Sequence, residues 1–231
     1  MSPKLLFLES ATEICSVALS EGDEIIASIC SEKSNSHAEY LFRFIEMVLA
    51  ESKCKISDIH GVVLSMGPGS YTGLRIGASA AKGICYALNI PLMGISTLQS
   101  IALGALQQQT KWKNALYCPM IDARRMEVFT AFFNGNGETL TEVKNKIIDE
   151  HSFANELENN TIYFCGNGMP KCQPVLQQHP NAYFIEAPLS AQNMLHPALL
   201  KFENQQFEDA AYFEPFYFKE YIAKKSAIKG L

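Results

Sequence analysis

The sequence lacks most of the features that assign a protein early. Its seven cysteines (15, 30, 54, 85, 118, 165 and 172) form no Cys-x-x-Cys pair and match no zinc spacing. An odd, scattered set of this kind reads as reduced thiols in a cytoplasm. Residues 1–20 contain no basic leader followed by a long apolar core, so no secretion signal is expected. No apolar stretch approaches the ~18 residues of a membrane span, so no membrane partner is expected. Basic charge is also in short supply. Nineteen Lys and Arg against 24 Asp and Glu leave a formal net charge of −5, which argues against a chain that grips nucleic acid alone through a basic surface. There is no Gly-x-Ser-x-Gly elbow, and no two acids and a histidine make an obvious catalytic constellation. The one glycine-rich turn has no Lys-Ser/Thr pair after its last glycine, so it is not a Walker loop. What remains is a 231-residue chain that is 48% hydrophobic and 19% charged, long enough for one large or two small well-cored domains.

That glycine-rich turn is the stretch around which the rest is organised. Gly61-Val62-Val63-Leu64 runs into Ser65-Met66-Gly67-Pro68-Gly69-Ser70-Tyr71-Thr72-Gly73-Leu74-Arg75-Ile76-Gly77, and small and apolar residues from Ala78 to Leu88 leave it. The order predicts strand, turn and helix, with Ser70 or Thr72 as the helix cap. Amides converging at a helix N-terminus suit an anion, and a tight turn needed only for packing is the alternative. Gly73, Gly77 and Ala81 recur every four residues. Glycine in a helix interior costs roughly 1 kcal/mol relative to alanine, so neighbours should approach this helix closely, the sheet on one side and another helix, of this chain or of a partner, on the other.

In chain order, Lys4–Glu9 reads as a buried strand, residues 14–19 as a second and 24–30 as a third, with a hairpin turn at Glu21-Gly22-Asp23. Glu9 at the first turn is placed either to face a metal-bound phosphate or to sit as a solvated hairpin carboxylate. Ser36-His37-Ala38-Glu39 has the form of a capping box, and His37 is expected in a cap-region hydrogen bond. The helix that follows carries Leu41, Phe44, Ile45 and Val48 on one stripe, with Phe42, Met47 and Leu49 apolar off it. Such a helix is deeply buried or offers a face to a partner. Asn89-Ile90-Pro91 ends the second helix, residues 92–95 form a strand, and Ser96-Thr97-Leu98-Gln99 starts a third helix. The polar run Gln107–Lys113 marks a boundary. We expect a first lobe at 1–107, completed by 189–231, and a second lobe at 112–188.

The second lobe reads as strands at 115–121 and 126–133, a further strand at 143–148, a short helix at 152–157, and strands at 161–165 and 182–185. A helix covers 190–202, with Pro197 as a potential kink. The aromatic run Pro215–Tyr221 is expected to dock on the first half, and Lys224, Lys225 and Lys229 make a basic end. Asp122-Ala123-Arg124-Arg125 is the best polar cluster. Its two guanidinium groups could hold a phosphate or a partner carboxylate, or the cluster is a charged hairpin tip with Asp122 paired locally.

Residues 9–19, Ser36-His37-Ala38-Glu39, the glycine segment 67–77 and Asp122–Val128 together resemble the TsaB (YeaZ) family, from residue 4 to about 222. The resemblance implies an actin/Hsp70-like α/β fold of two related lobes, each a mixed sheet flanked by helices. It implies a non-catalytic subunit in forming threonylcarbamoyladenosine next to the anticodon of tRNAs that read ANN codons. The implied partners are a TsaD-type catalytic paralogue, which the chain stabilises or activates, and a TsaE-type ATPase. It further implies tRNA contact only through the complex and ATP used by the complex rather than by this chain; the free chain is either a homodimer or a monomer. Thr97 and Ile101 stand where the resemblance to TsaD places a metal-binding histidine pair, so no catalytic residue, bound metal or tightly held cofactor is expected. The helices at 36–50 and 72–88, through His37, Leu41, Phe44, Ile45, Leu74, Gly77, Ala78 and Ala81, are the expected partner surface. Glu9, Ser10, Gly69, Ser70, Arg124 and Arg125 are the expected anion or nucleotide contacts. An actin-like ATPase or small-molecule kinase acting alone is the alternative.

Overall fold

Leu5 and Phe7 point to one side of the first strand and Leu6 and Leu8 to the other, and all four are fully buried. A strand apolar on both faces belongs at the centre of a sheet covered on both sides. In the computed structural model, which describes residues 2–31, 37–108, 115–187 and 189–218, that is its position. β1 (Lys4–Glu9) pairs antiparallel with β2 (Ser16–Glu21) and parallel with β4 (Gly61–Ser65). β3 (Glu24–Cys30) and β5 (Leu92–Ile95) complete the order β3-β2-β1-β4-β5. One face packs under α1 (His37–Glu51) and α2 (Tyr71–Leu88). There Leu6, Leu8, Val17, Leu19, Val62 and Leu64 meet Leu41, Phe44, Ile45, Val48, Ala78, Ala81 and Cys85. The opposite face is covered by a single 3-10 turn, Ala191–Met194, and by α6 (Leu195–Glu203). Each buried Leu, Val or Phe of such a core contributes on the order of 1.5–3 kcal/mol.

A second five-stranded sheet follows, in the order β10-β9-β6-β7-β8. Its strands are β6 (Leu116–Asp122), β7 (Glu127–Thr130), β8 (Lys144–Ile147), β9 (Ile162–Cys165) and β10 (Ala182–Ile185). α4 (Ala154–Asn159) and α5 (Met169–Leu176) close one face, through Phe153, Leu157, Met169, Cys172 and Leu176. α3 (Thr97–Gln108) lies against the other. Its Leu98, Ile101, Ala102 and Ala105 share a cluster with Tyr117, Ile121 and Phe129, and also with Ala11 and Leu74 of the first half. The two halves therefore share one of the protein's apolar clusters. Among the described residues, no helix is long and apolar enough to cross a membrane.

The structure departs from the sequence reading at several elements. The second strand lies two residues later, at Ser16–Glu21. α5 has no counterpart in the sequence reading, because Pro170 and Pro174 interrupt its pattern. Pro170 lies in the first turn, where no amide is needed. Pro197 does not kink a helix: it is the third residue of α6, again in the first turn, and the 3-10 turn precedes it. Ser36, the boundary residues 109–113 and the tail from 219, with Lys224, Lys225 and Lys229, lie outside the described residues.

The small residues of α2 have an intrachain cause. A Cβ on Gly73 would fall on the carbonyl oxygen of Ser10, and one on Gly77 on the Ser10 hydroxyl. The close neighbour on that side is the β1–β2 turn rather than a helix. Gly83, in contrast, meets nothing within 4 Å. Gly83→Ala should therefore stabilise the chain by about 1 kcal/mol. Gly73→Ala, which sets a methyl against backbone, should cost about 1–3 kcal/mol. Denaturant unfolding of the two variants checks this, and equal effects would remove the β1–β2 turn as the reason for Gly73.

Candidate functional site

The β1–β2 turn, residues 9–13, is a hub. The Ser70 amide donates to the Ala11 carbonyl at 2.6 Å, and a Cβ on Gly69 would fall on that same carbonyl. The Ser10 hydroxyl donates to the Gly73 carbonyl at 2.9 Å. Ser70, the N-cap of α2, accepts from the Gly73 amide through its hydroxyl. On the other side, Phe216 of the C-terminal segment donates its amide to the Met66 carbonyl at 2.6 Å. Thr97 exchanges two bonds with Gly67: its hydroxyl accepts at 3.1 Å and its amide donates at 3.0 Å.

This bears on the anion reading. The turn that resembles a phosphate cradle is approached closely by the chain itself. Carbonyl oxygens of residues 10 and 11 lie against Gly73 and Gly69, and the Ser70 and Gly73 amides already have acceptors within the chain. Glu9, Ser10, Gly69 and Ser70 do come together, but as a closed structural unit. Thr97 and Ile101 also have structural work. Thr97 pins α3 to the glycine turn, and Ile101 is buried in the shared core.

Glu9 faces neither solvent nor phosphate. It is fully buried, and its Oε1 accepts from the Ala11 amide at 2.8 Å and the Ser65 hydroxyl at 2.7 Å, while Oε2 has no partner. Burial pushes its pKa up to about 7, against the pull of those donors. The geometry suits a neutral acid, with the carbonyl-like oxygen taking both bonds.

Arg124 and Arg125 are not part of this unit. They are exposed at the β6–β7 turn, both with left-handed backbone (φ 72° and 51°), and the Arg124 amide donates to Asp122 at 2.8 Å. Among the described residues neither guanidinium bonds to Glu9, Ser10, Gly69 or Ser70. Asp122 pairs with Lys171 of α5, the helix that the sequence reading missed. Burial opposes the Asp122 charge, but the Lys171 ammonium and the Arg124 amide outweigh it and hold the carboxyl below its usual range. Asn167 links this corner to the hub, accepting from the Asp122 amide at 3.1 Å and donating to Glu13 at 2.9 Å. Beside it lies a mostly apolar cavity of about 330 Å³, walled by Ile14, Ile101, Met169, Pro170 and Leu189 among others.

The expected partner residues point the wrong way. Leu41, Phe44, Ile45, Ala78 and Ala81 are in the core under the first sheet, Leu74 is in the shared core, and Gly77 is against Ser10. His37 donates from Nε2 to the Thr12 carbonyl at 2.7 Å, tying α1 to the hub. The reason is physical: the most regular apolar stripe of a helix is the one the chain spends on its own sheet. The two helices nevertheless lie side by side on one layer, and their outward faces are open. Phe42 is 53% exposed, Met47 44% and Tyr86 90%. Between the helices runs an open groove of about 460 Å³, lined by Ala38, Phe42, Tyr71, Thr72, Arg75, Ile76, Ser79 and Ala80. The signal for Phe42 and Met47 was in the sequence, as apolar residues off the main stripe.

Comparison with known proteins gives the following. A family model described as "TsaD: tRNA N6-adenosine threonylcarbamoyltransferase" matches residues 25–230. The tRNA threonylcarbamoyladenosine biosynthesis protein TsaB of Buchnera aphidicola is 27% identical, over 89% of this chain and 92% of its own. A Pseudomonas aeruginosa crystal structure, described as similar to peptidase YEAZ, superposes with a TM-score of 0.81 at 25% identity, covering 94% of this chain and 100% of that one. A candidate N-acetylmannosamine kinase of Listeria monocytogenes covers 88% of this chain and 99% of its own, with a TM-score of 0.51 and 14% identity, and shares the two-lobed fold alone.

Glu9 yields a pH prediction. A carboxyl whose folded-state pKa is raised adds stability that is complete below the unfolded value of about 4.5 and lost as pH rises through about 7. The loss amounts to about 3 kcal/mol. Denaturation of the wild type and Glu9→Gln at pH 5 and pH 8.5 should show the variant gaining relative to the wild type at the higher pH. A pH-independent difference would mean that Glu9 is ionised throughout.

Proposed function

The chain belongs to the TsaD family, in its TsaB (YeaZ) branch, with a role in tRNA threonylcarbamoyladenosine biosynthesis, and from that premise we propose that it is the non-catalytic partner subunit of the threonylcarbamoyl-transferase complex. In this reading it binds and activates the TsaD-type catalytic paralogue through the outward face of α1 and α2. The complex, rather than the chain alone, holds tRNA, recruits the TsaE-type ATPase and uses ATP, and it works in the cytoplasm. The free chain uses the same face to pair with itself.

The observation that carries this is the contrast between two surfaces. The turn that would serve a nucleotide-using enzyme is approached closely by the Ala11 and Ser10 carbonyls, which counts against the solitary ATPase or kinase reading. The two-helix layer, in contrast, leaves Phe42, Met47 and Tyr86 in solvent. Exposed large apolar side chains beside a groove mark an interaction face. A two-helix layer meeting the same layer of a paralogue gives a four-helix bundle.

Two measurements test it. The purified chain, given tRNA and threonylcarbamoyl-adenylate, should form no product until the catalytic paralogue is added; product from the chain alone would end this reading. Phe42→Ala should leave unfolding nearly unchanged and weaken paralogue binding by roughly 1–3 kcal/mol, the range of an interface anchor. Ala81→Trp, aimed at the core, should destabilise the free chain instead.

A further inference from the structure

The groove between α1 and α2 has one charged side chain on its walls, Arg75. This arginine is held in place. Its Nη1 donates to the Tyr71 hydroxyl at 2.9 Å, and its guanidinium lies 5.3 Å from the centre of the Tyr71 ring. Tyr71 in turn packs against Tyr217 of the C-terminal segment, with ring centres 5.0 Å apart. That segment is anchored farther along α2, where Lys82 donates to the carbonyls of Ala211 and Phe213 at 3.0 and 3.1 Å. The C-terminal segment thus runs beside α2 and braces Tyr71 and Arg75 from the side opposite α1. Among the described residues, Arg75 has no carboxylate within ion-pair distance.

A fixed, exposed guanidinium has lost part of its side-chain freedom before any partner arrives, so the ordering cost of a new ion pair is reduced. Its planar fork matches a carboxylate with two parallel bonds. The groove below it is lined by Ala38, Phe42, Ile76 and Ala80, which suits aliphatic side chains on one face of a helix.

We infer that Arg75, braced by Tyr71 and Tyr217, is a carboxylate receptor in the partner groove, and that the groove's occupant is a helix of the catalytic paralogue presenting one Asp or Glu among small aliphatic residues. The inference rests on the outward face of α1 and α2 being the partner surface. A tRNA phosphate is the other anion that Arg75 could meet. It fits less well, because one arginine in an apolar groove, on a chain of net charge −5, lacks the several cations that a nucleic-acid backbone recruits.

The test measures affinity for the purified catalytic paralogue at low and high salt, using the full chain with Arg75→Gln, Arg75→Ala and Phe42→Ala. Arg75→Gln keeps a polar donor on a shorter side chain and removes the charge and the fork. Both Arg75 variants should leave thermal unfolding nearly unchanged, weaken binding by roughly 10- to 100-fold at low salt and flatten its salt dependence, while Phe42→Ala weakens binding with the slope retained. If Phe42→Ala weakens binding and the Arg75 variants do not, the carboxylate receptor is overturned and the partner face stands. If no variant weakens binding, the partner face itself is wrong. If the free chain binds tRNA and loses that binding with Arg75→Gln, the ligand is a phosphate and the inference fails.

Discussion

The hydrogen bond from the Ser70 amide to the Ala11 carbonyl, 2.6 Å long, seats the β1–β2 turn on the start of α2, and the rest of the first half is tied to that turn. It exists because Gly69 and Gly73 present no side chain to the β1–β2 turn, which can then lie directly on the start of α2. From residues 9–13 the connections fan out. Glu9 reaches Ser65 of β4, Ser10 reaches α2, Thr12 receives His37 of α1, and Glu13 receives Asn167 of the second half. Five consecutive residues thus set both helices of the outward layer and one polar link between the halves. A buried carboxyl with an unpaired oxygen inside the turn costs stability when ionised, and the surrounding bonds hold it there.

The same contact gives the amides of the glycine turn an acceptor from within the chain. A glycine-rich turn at a helix N-terminus offers amides to any acceptor. Here the acceptor is the chain's own backbone. A carbonyl of the same molecule has a very high effective concentration at the site, so an external phosphate would have to displace it and rearrange Ala11, Ser10 and everything fastened to them. The turn resembles an anion cradle in sequence because its backbone does the same thing; only the acceptor differs.

That explains which parts were legible in the sequence. The strands Lys4–Glu9, Glu24–Cys30 and Leu92–Ile95, and the helices α1 and α2, follow from apolar period and from caps such as Ser70 and Asn89, all local signals. α5 was hidden because its two prolines break the helical pattern, although Pro170 in the first turn costs nothing and Pro174 comes within a turn of the end. The close approach of the chain to the glycine turn was not legible at all. It depends on residues 10 and 11 meeting residues 69 to 73, and the sequence carries no local trace of a contact across sixty positions. Asp122 shows the same limit, since its partner Lys171 lies on the helix that could not be read.

The partner surface needs the opposite correction. Periodicity ranks the residues of a helix by how regularly apolar they are, and the first-ranked stripe of both α1 and α2 is the one used against the sheet, as Leu41, Phe44, Ile45 and Ala81 show. A helix that also binds outside must do so with what is left: scattered large residues such as Phe42 and Tyr86, small ones such as Ser79 and Gly83, and a braced charge such as Arg75. Apart from Phe42, which shows in the sequence as an apolar residue off the main stripe, none of these stands out before the core is known. The outward face therefore has to be obtained by subtraction, core first and remainder second. Gly83 illustrates the step: open space above it separates it from Gly73, although both are glycines on the same helix.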